Sequence, residues 1–104
     1  MHWVLEYDYV DDYLERRQPF RQAHLALAEV AQRRGALLFA GTLDDPVTAA
    51  LLVFQADDPS VVGDFVRADP YVDNGVVVEW RIRPWNVVVG GRDAPGQSSP
   101  GGAS

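Results

Sequence analysis

Ala36-Leu37-Leu38-Phe39-Ala40-Gly41-Thr42-Leu43-Asp44-Asp45-Pro46-Val47-Thr48-Ala49-Ala50-Leu51-Leu52-Val53-Phe54-Gln55-Ala56 is the stretch on which the fold turns. Residues 36–41 are a short, continuously apolar run, the pattern of a strand buried on both faces, and residues 49–56 read as a second buried strand. The segment 42–48 between them holds Asp44-Asp45-Pro46, turn chemistry too short for a crossover helix. An antiparallel hairpin is the natural connection.

Upstream, His2-Trp3-Val4-Leu5-Glu6-Tyr7-Asp8-Tyr9 is aromatic and β-branched with rough alternation, which predicts a strand. Asp11 or Asp12 can cap a helical turn over 12–17, and Pro19 then starts the main helix. That helix sets Phe20, His24, Leu27, Ala28 and Ala31 on one apolar face. Arg33 and Arg34 suit its negative end, and Gly35 supplies a left-handed cap. Downstream, Asp57-Asp58-Pro59-Ser60 starts a helix whose stripe is Val61, Val62, Phe65 and Val66, and Asp69-Pro70 ends it. Gly75 opens an alternating strand through Trp85. From Gly90 the chain is Gly/Pro/Ser-rich, which predicts a disordered tail over 90–104 after one domain over 1–89.

The order is β-α-β-β-α-β, an α+β chain. Right-handed crossovers and hairpin pairing fold it into a four-stranded antiparallel sheet with both helices on one face, the ferredoxin-like arrangement. One sheet face is then bare, with Val4, Leu38, Phe54 or Trp80 as candidates to line it. A homodimer packed sheet on sheet covers such a face economically.

Composition narrows the function. A formal charge of −6 disfavours both nucleic acid and an anionic membrane surface as partners. Every basic residue is arginine, so lysine Schiff-base chemistry has no residue to use. With no cysteine there is no thiol nucleophile or disulfide, and no apolar run approaches the roughly 18 residues of a membrane span. The start of the chain lacks the basic and apolar segments of a secretion signal, so a cytoplasmic location is expected. Two distant histidines give no metal-ligand spacing, and the pairs Asp11-Asp12, Asp44-Asp45 and Asp57-Asp58 suit turns and caps, so no metal and no cofactor are expected.

What remains is His24, on the apolar stripe of one helix, and Asp69, where a second helix yields to a proline turn. Brought together, an imidazole and a carboxylate move protons near neutral pH. Arg21 precedes His24 by three residues and so neighbours it on the helix surface, where it suits a carboxylate or phenolate ligand. Tyr71 and Trp85 are candidates to wall a pocket for an aromatic molecule, and Tyr7 and Tyr9 are strand tyrosines open to either packing or binding.

Arg21-x-Ala23-His24-Leu25, Gly35-x-Leu37-Leu38-x-Ala40-Gly41, Ala68-Asp69-Pro70-Tyr71-Val72-x-x-Gly75-Val76 and Arg83-Pro84-Trp85 together resemble the YciI-like (YCII-related) family over roughly residues 2–88. The resemblance implies a dimeric α+β barrel and a site centred on His24 and Asp69. A member from chloroaromatic degradation is a dehydrochlorinase, one precedent for elimination chemistry. Gln22 and Thr42 stand where relatives often have proline, and the hairpin loop is shorter than in several of them. Two functions fit this reading. One is a small cofactor-independent lyase or isomerase in which His24, oriented by Asp69, takes a proton from a cyclic or aromatic substrate. The other is a non-catalytic dimeric module that binds a small ligand or a protein, the His/Asp pair being structural.

Overall fold

The computed structural model describes residues 1–90; apart from Gly90, the expected tail lies outside them. Strand β1 runs His2–Tyr9, followed by the single turn α1 (Tyr13–Arg16) and a 3-10 turn, Gln18–Phe20. Helix α2 spans Arg21–Arg33, and the hairpin strands are β2 (Leu37–Leu43) and β3 (Ala49–Gln55). Helix α3 (Ser60–Ala68), a further turn α4 (Pro70–Asp73) and β4 (Val77–Trp85) follow among the described residues. All strand pairs are antiparallel, and the order is β2-β3-β1-β4. This is the expected ferredoxin-like sheet, with β1 and β3 at its centre.

Alternation along β1 decides where the core lies. Trp3, Leu5, Tyr7 and Tyr9 are buried; the register sets the first three opposite Phe54, Leu52 and Ala50 of β3, and Tyr9 opposite Val77 of β4. Helix α3 covers this face with Val62, Phe65 and Val66, while α2 adds Phe20, Leu27, Ala28 and Ala31 at its margin. Phe54 and Phe65 meet edge to face at 5.3 Å. The same sheet face therefore receives both helices.

The structure corrects several sequence expectations. Pro19 lies in the 3-10 turn, and α2 begins two residues later at Arg21. Strand β2 is not buried on both faces: it is an edge strand, and from Phe39 onward it is exposed. An apolar run cannot distinguish a doubly covered strand from one whose second face awaits a partner. A register shift between Leu37 and Phe39 turns the Phe39 side chain to the helix-free face. Phe54 and Trp80 do not line that face. Phe54 is fully buried in the core, and Trp80 pairs with Tyr7 on the helix side. The helix-free face instead presents Val4, Phe39, Leu43, Leu51, Val53 and Trp85, beside a charged stripe in which Arg81 bonds Asp8 at 3.0 Å and lies 3.7 Å from Glu6.

One local feature places the site. Pro70 disfavours helical geometry in the residue before it, so Asp69 stops α3 in an extended conformation, with φ −80° and ψ 116°. Its side chain then caps the next turn by accepting from the Tyr71 amide at 3.0 Å.

Candidate functional site

Asp69 is the only charged residue in the described core, with 0% of its surface exposed. A buried carboxylate is costly unless its oxygens are fully engaged. Here they are. Tyr7 Oη, from the central strand 62 residues away, donates to Oδ2 at 2.7 Å. His24 Nδ1, from α2 and 45 residues away, lies 2.9 Å from Oδ1 and 3.0 Å from Oδ2. The Tyr71 amide is the third donor. Sheet, long helix and helical turn thus converge on one carboxylate.

That arrangement fixes the imidazole. A carboxylate only accepts, so the hydrogen sits on Nδ1 and the lone pair on Nε2. Tyr71 lies flat on the His24 ring, with centroids 3.9 Å apart and planes 5° from parallel. The His24 side chain keeps 13% of its surface exposed. Rotation, tautomer and one ring face are set by the protein, with Nδ1 committed to Asp69.

The tyrosines around this centre are held neutral. Burial, then the Asp69 charge and hydrogen bond, raises the Tyr7 hydroxyl well above the ordinary phenol range. Tyr9 is raised by burial and by its neighbour Tyr13. Tyr71 is pushed up to about 12, mainly by burial, against the opposing charges of Arg17 and Arg21. Tyr7 therefore remains a donor to Asp69 at any physiological pH. The linkage has a definite sign. Unfolded tyrosines ionise near pH ~10 while these stay protonated in the fold, so their contribution is intact below ~10 and is lost as pH rises beyond it. Denaturant midpoints are expected to fall above about pH 10, and a midpoint flat through that region would contradict the assignment.

His24, Asp69 and Tyr71 come together; Arg21 opens α2 three residues before His24, and its charge opposes the upward shift of the Tyr71 hydroxyl. Trp85 does not join them within the protomer. It pairs with His2, at the far end of β1 from Tyr7 and on the opposite sheet face. Tyr7 is the member that sequence reasoning left open. A signal for it exists in the alternation of β1: a tyrosine in register with Leu5 points inward, and a buried hydroxyl needs a partner. Among the described residues no group of three or more His, Cys, Asp or Glu side chains gathers in a metal-binding arrangement, and no helix is long and apolar enough to cross a membrane. A cleft of about 570 Å³ opens elsewhere, between the end of α2 and the start of α3, lined by residues such as Arg34, Gln55, Asp57 and Val61; none of the site residues borders it.

Comparison with known proteins identifies the family and the fold. The YCII-related domain matches residues 1–86. A protein of Haemophilus influenzae (strain Rd), described only as uncharacterized, is 28% identical over 97 residues, covering 85% of this chain and 99% of that protein. Among solved structures, 5-chloro-2-hydroxyhydroquinone dehydrochlorinase (TftG) from Burkholderia phenoliruptrix AC1100, in complex with 2,5-dihydroxybenzoquinone, superposes with a TM-score of 0.69 at 22% identity, covering 84% of this chain and 95% of that one. Protein Atu4242 from Agrobacterium tumefaciens superposes with a TM-score of 0.51 at 8% identity, over 79% and 88% of the two chains. At these identities the two structures show a shared fold.

Proposed function

The chain belongs to the YCII-related family, and from that premise we propose that it is a small cofactor-independent enzyme in which His24 performs general acid/base chemistry on a cyclic or aromatic substrate. The observation that carries the reading is the double approach of His24 Nδ1 to a fully buried Asp69, at 2.9 and 3.0 Å. Holding one tautomer in one orientation is what a catalytic base requires. Tyr7 is a positioning residue: it holds Asp69, which holds His24. In this reading Tyr71 backs the imidazole from inside the core, and Arg21, three residues before His24 on α2, serves the charged substituent of the ring.

Elimination is the reaction class this arrangement serves best. Nε2 takes a proton from the substrate, conjugated electrons carry the charge to a neighbouring carbon, and the group there departs as an anion. For a chlorinated ring the balance is loss of H⁺ and Cl⁻, and the imidazolium returns its proton to water. The dehydrochlorinase with the same fold supports this choice. The test is a panel of hydroxylated and chlorinated hydroquinones, followed by chloride release and by deuterium uptake from solvent. Turnover of at least one member is expected. Binding without either signal across the panel would overturn the assignment.

The working unit in this proposal is a homodimer joined through the helix-free sheet face. Phe39, Leu43, Leu51 and Trp85 are 73%, 50%, 36% and 48% exposed there, an apolar area that a twofold-related copy would bury. Leu51→Arg, near the middle of that face, is expected to yield monomers in sedimentation velocity. A variant that sediments unchanged would place the interface elsewhere.

A further inference from the structure

His24 is held in two different ways. Nδ1 lies 2.9 and 3.0 Å from the two oxygens of Asp69, which fixes where that nitrogen points. Tilting the imidazole plane about this direction barely changes either distance. The terminal torsions of histidine and tyrosine have broad wells, so a ring plane needs a packed neighbour to define it. For His24 that neighbour is Tyr71, with centroids 3.9 Å apart and planes 5° from parallel.

Tyr71 is in turn held by two further rings. Tyr9, the last residue of β1, and Tyr13, the first residue of the turn α1, stack on each other at 3.7 Å with planes 12° apart. Both meet Tyr71 near a right angle, Tyr9 at 6.5 Å and 82°, Tyr13 at 6.1 Å and 88°. Edge-to-face contacts of this kind favour one mutual orientation of the rings. All three phenols are buried, so in a close-packed interior Tyr71 tilts only if its neighbours move. Tyr13 is the one buried residue of α1, a four-residue turn too short to be stable by itself. What that turn delivers to the interior is this ring.

We propose that Tyr13, stacked on Tyr9, is a positioning residue: it sets the plane of Tyr71, and Tyr71 sets the plane of His24. The inference rests on the general-base reading of His24 and extends it. Asp69 fixes the tautomer and the direction of Nδ1, and the ring array fixes the plane in which the Nε2 lone pair lies. Tilting the imidazole swings that lone pair away from the proton it must take, and a misplacement of about 1 Å can cost about 10²-fold in rate.

Tyr13→Leu removes the ring and keeps apolar bulk. In a weakly aligned NMR sample, residual dipolar couplings of the His24 Cδ2–H and Cε1–H bonds read the ring plane, and backbone N–H couplings read helix α2. In Tyr13→Leu the ring couplings are expected to depart from their native values while those of α2 stay. Tyr13→Phe, which keeps the ring, should retain both sets. On whichever chlorinated or hydroxylated hydroquinone the native chain turns over, kcat of Tyr13→Leu should fall about tenfold or more with KM within about twofold. If Tyr13→Leu does not fold, Tyr13→Met, with a longer and more adaptable side chain, is read in the same way. Native ring couplings in the variant overturn the proposal, whatever its melting temperature. So do α2 couplings that change along with those of the ring, which would mean that the whole helix shifts, and so does native turnover despite a changed ring plane. The couplings need no substrate, so the ring array and the general-base assignment can fail separately.

Discussion

His24→Asn is expected to lose about 10²–10⁴-fold in turnover while remaining folded. The asparagine amide can place an N–H close to where Nδ1 stands, so the bond to Asp69 has a replacement and the buried carboxylate is not abandoned. Nothing in asparagine reaches the position of Nε2. The variant therefore separates the two jobs of the residue, satisfying Asp69 and accepting a proton. Steady-state chloride release, with circular dichroism and a melting curve alongside, reads both. Turnover within a few fold of the native chain would remove His24 from the chemistry. Collapse of the fold in His24→Asn would show that the Asp69 contact requires the ring and would transfer the question to Asp69→Asn. There the acid becomes an amide whose oxygen is kept by the Tyr71 amide, so its NH₂ group falls on the Oδ2 side and favours Nδ1 as its acceptor. The hydrogen moves to Nε2, the base is lost, and the shape of the site is kept. Activity in that variant would contradict the tautomer argument directly.

Asp69→Ala is expected to have the largest effect on stability. It leaves Tyr7 Oη, His24 Nδ1 and the Tyr71 amide without their acceptor, in a place where no solvent reaches the carboxylate. Each unmet donor costs about 1–3 kcal/mol, and removing one partner of a buried network typically costs about 3–5 kcal/mol in all. A domain of this size has about 5–15 kcal/mol of stability, so the loss is a large share of it. At about 4–8 °C per kcal/mol, the melting temperature should fall by more than about 12 °C. Tyr7→Phe removes one donor and keeps the ring, so its cost should be smaller, about 1–2 kcal/mol. An Asp69→Ala protein that melts with the native chain would mean that the network contributes nothing to the fold.

How the sequence maps onto this structure differs between fold and site. The sheet order follows from hydrophobic periodicity and from the short hairpin loop, both local properties of the chain. His24 and Asp69 were legible because each breaks a local rule: a histidine on an apolar stripe, and an aspartate before proline at a helix end. Tyr7 was not legible in the same way, because an inward tyrosine on a strand obeys the pattern, and its partner is 62 residues away. The exposed face misled where it did because alternation states which residues share a side, while a register shift such as that at Leu37/Phe39 changes the side without changing the letters.

The flat stacking of Tyr71 on His24 gives the molecule a built-in reporter. Imidazole protons held over a phenol ring lie in its shielding cone, so their NMR resonances should stand upfield of those of an unstacked imidazole. A guest that parts the two rings would return those signals toward ordinary positions. Occupancy beside Nε2 would then be visible in a one-dimensional spectrum, without a label and before any product is known.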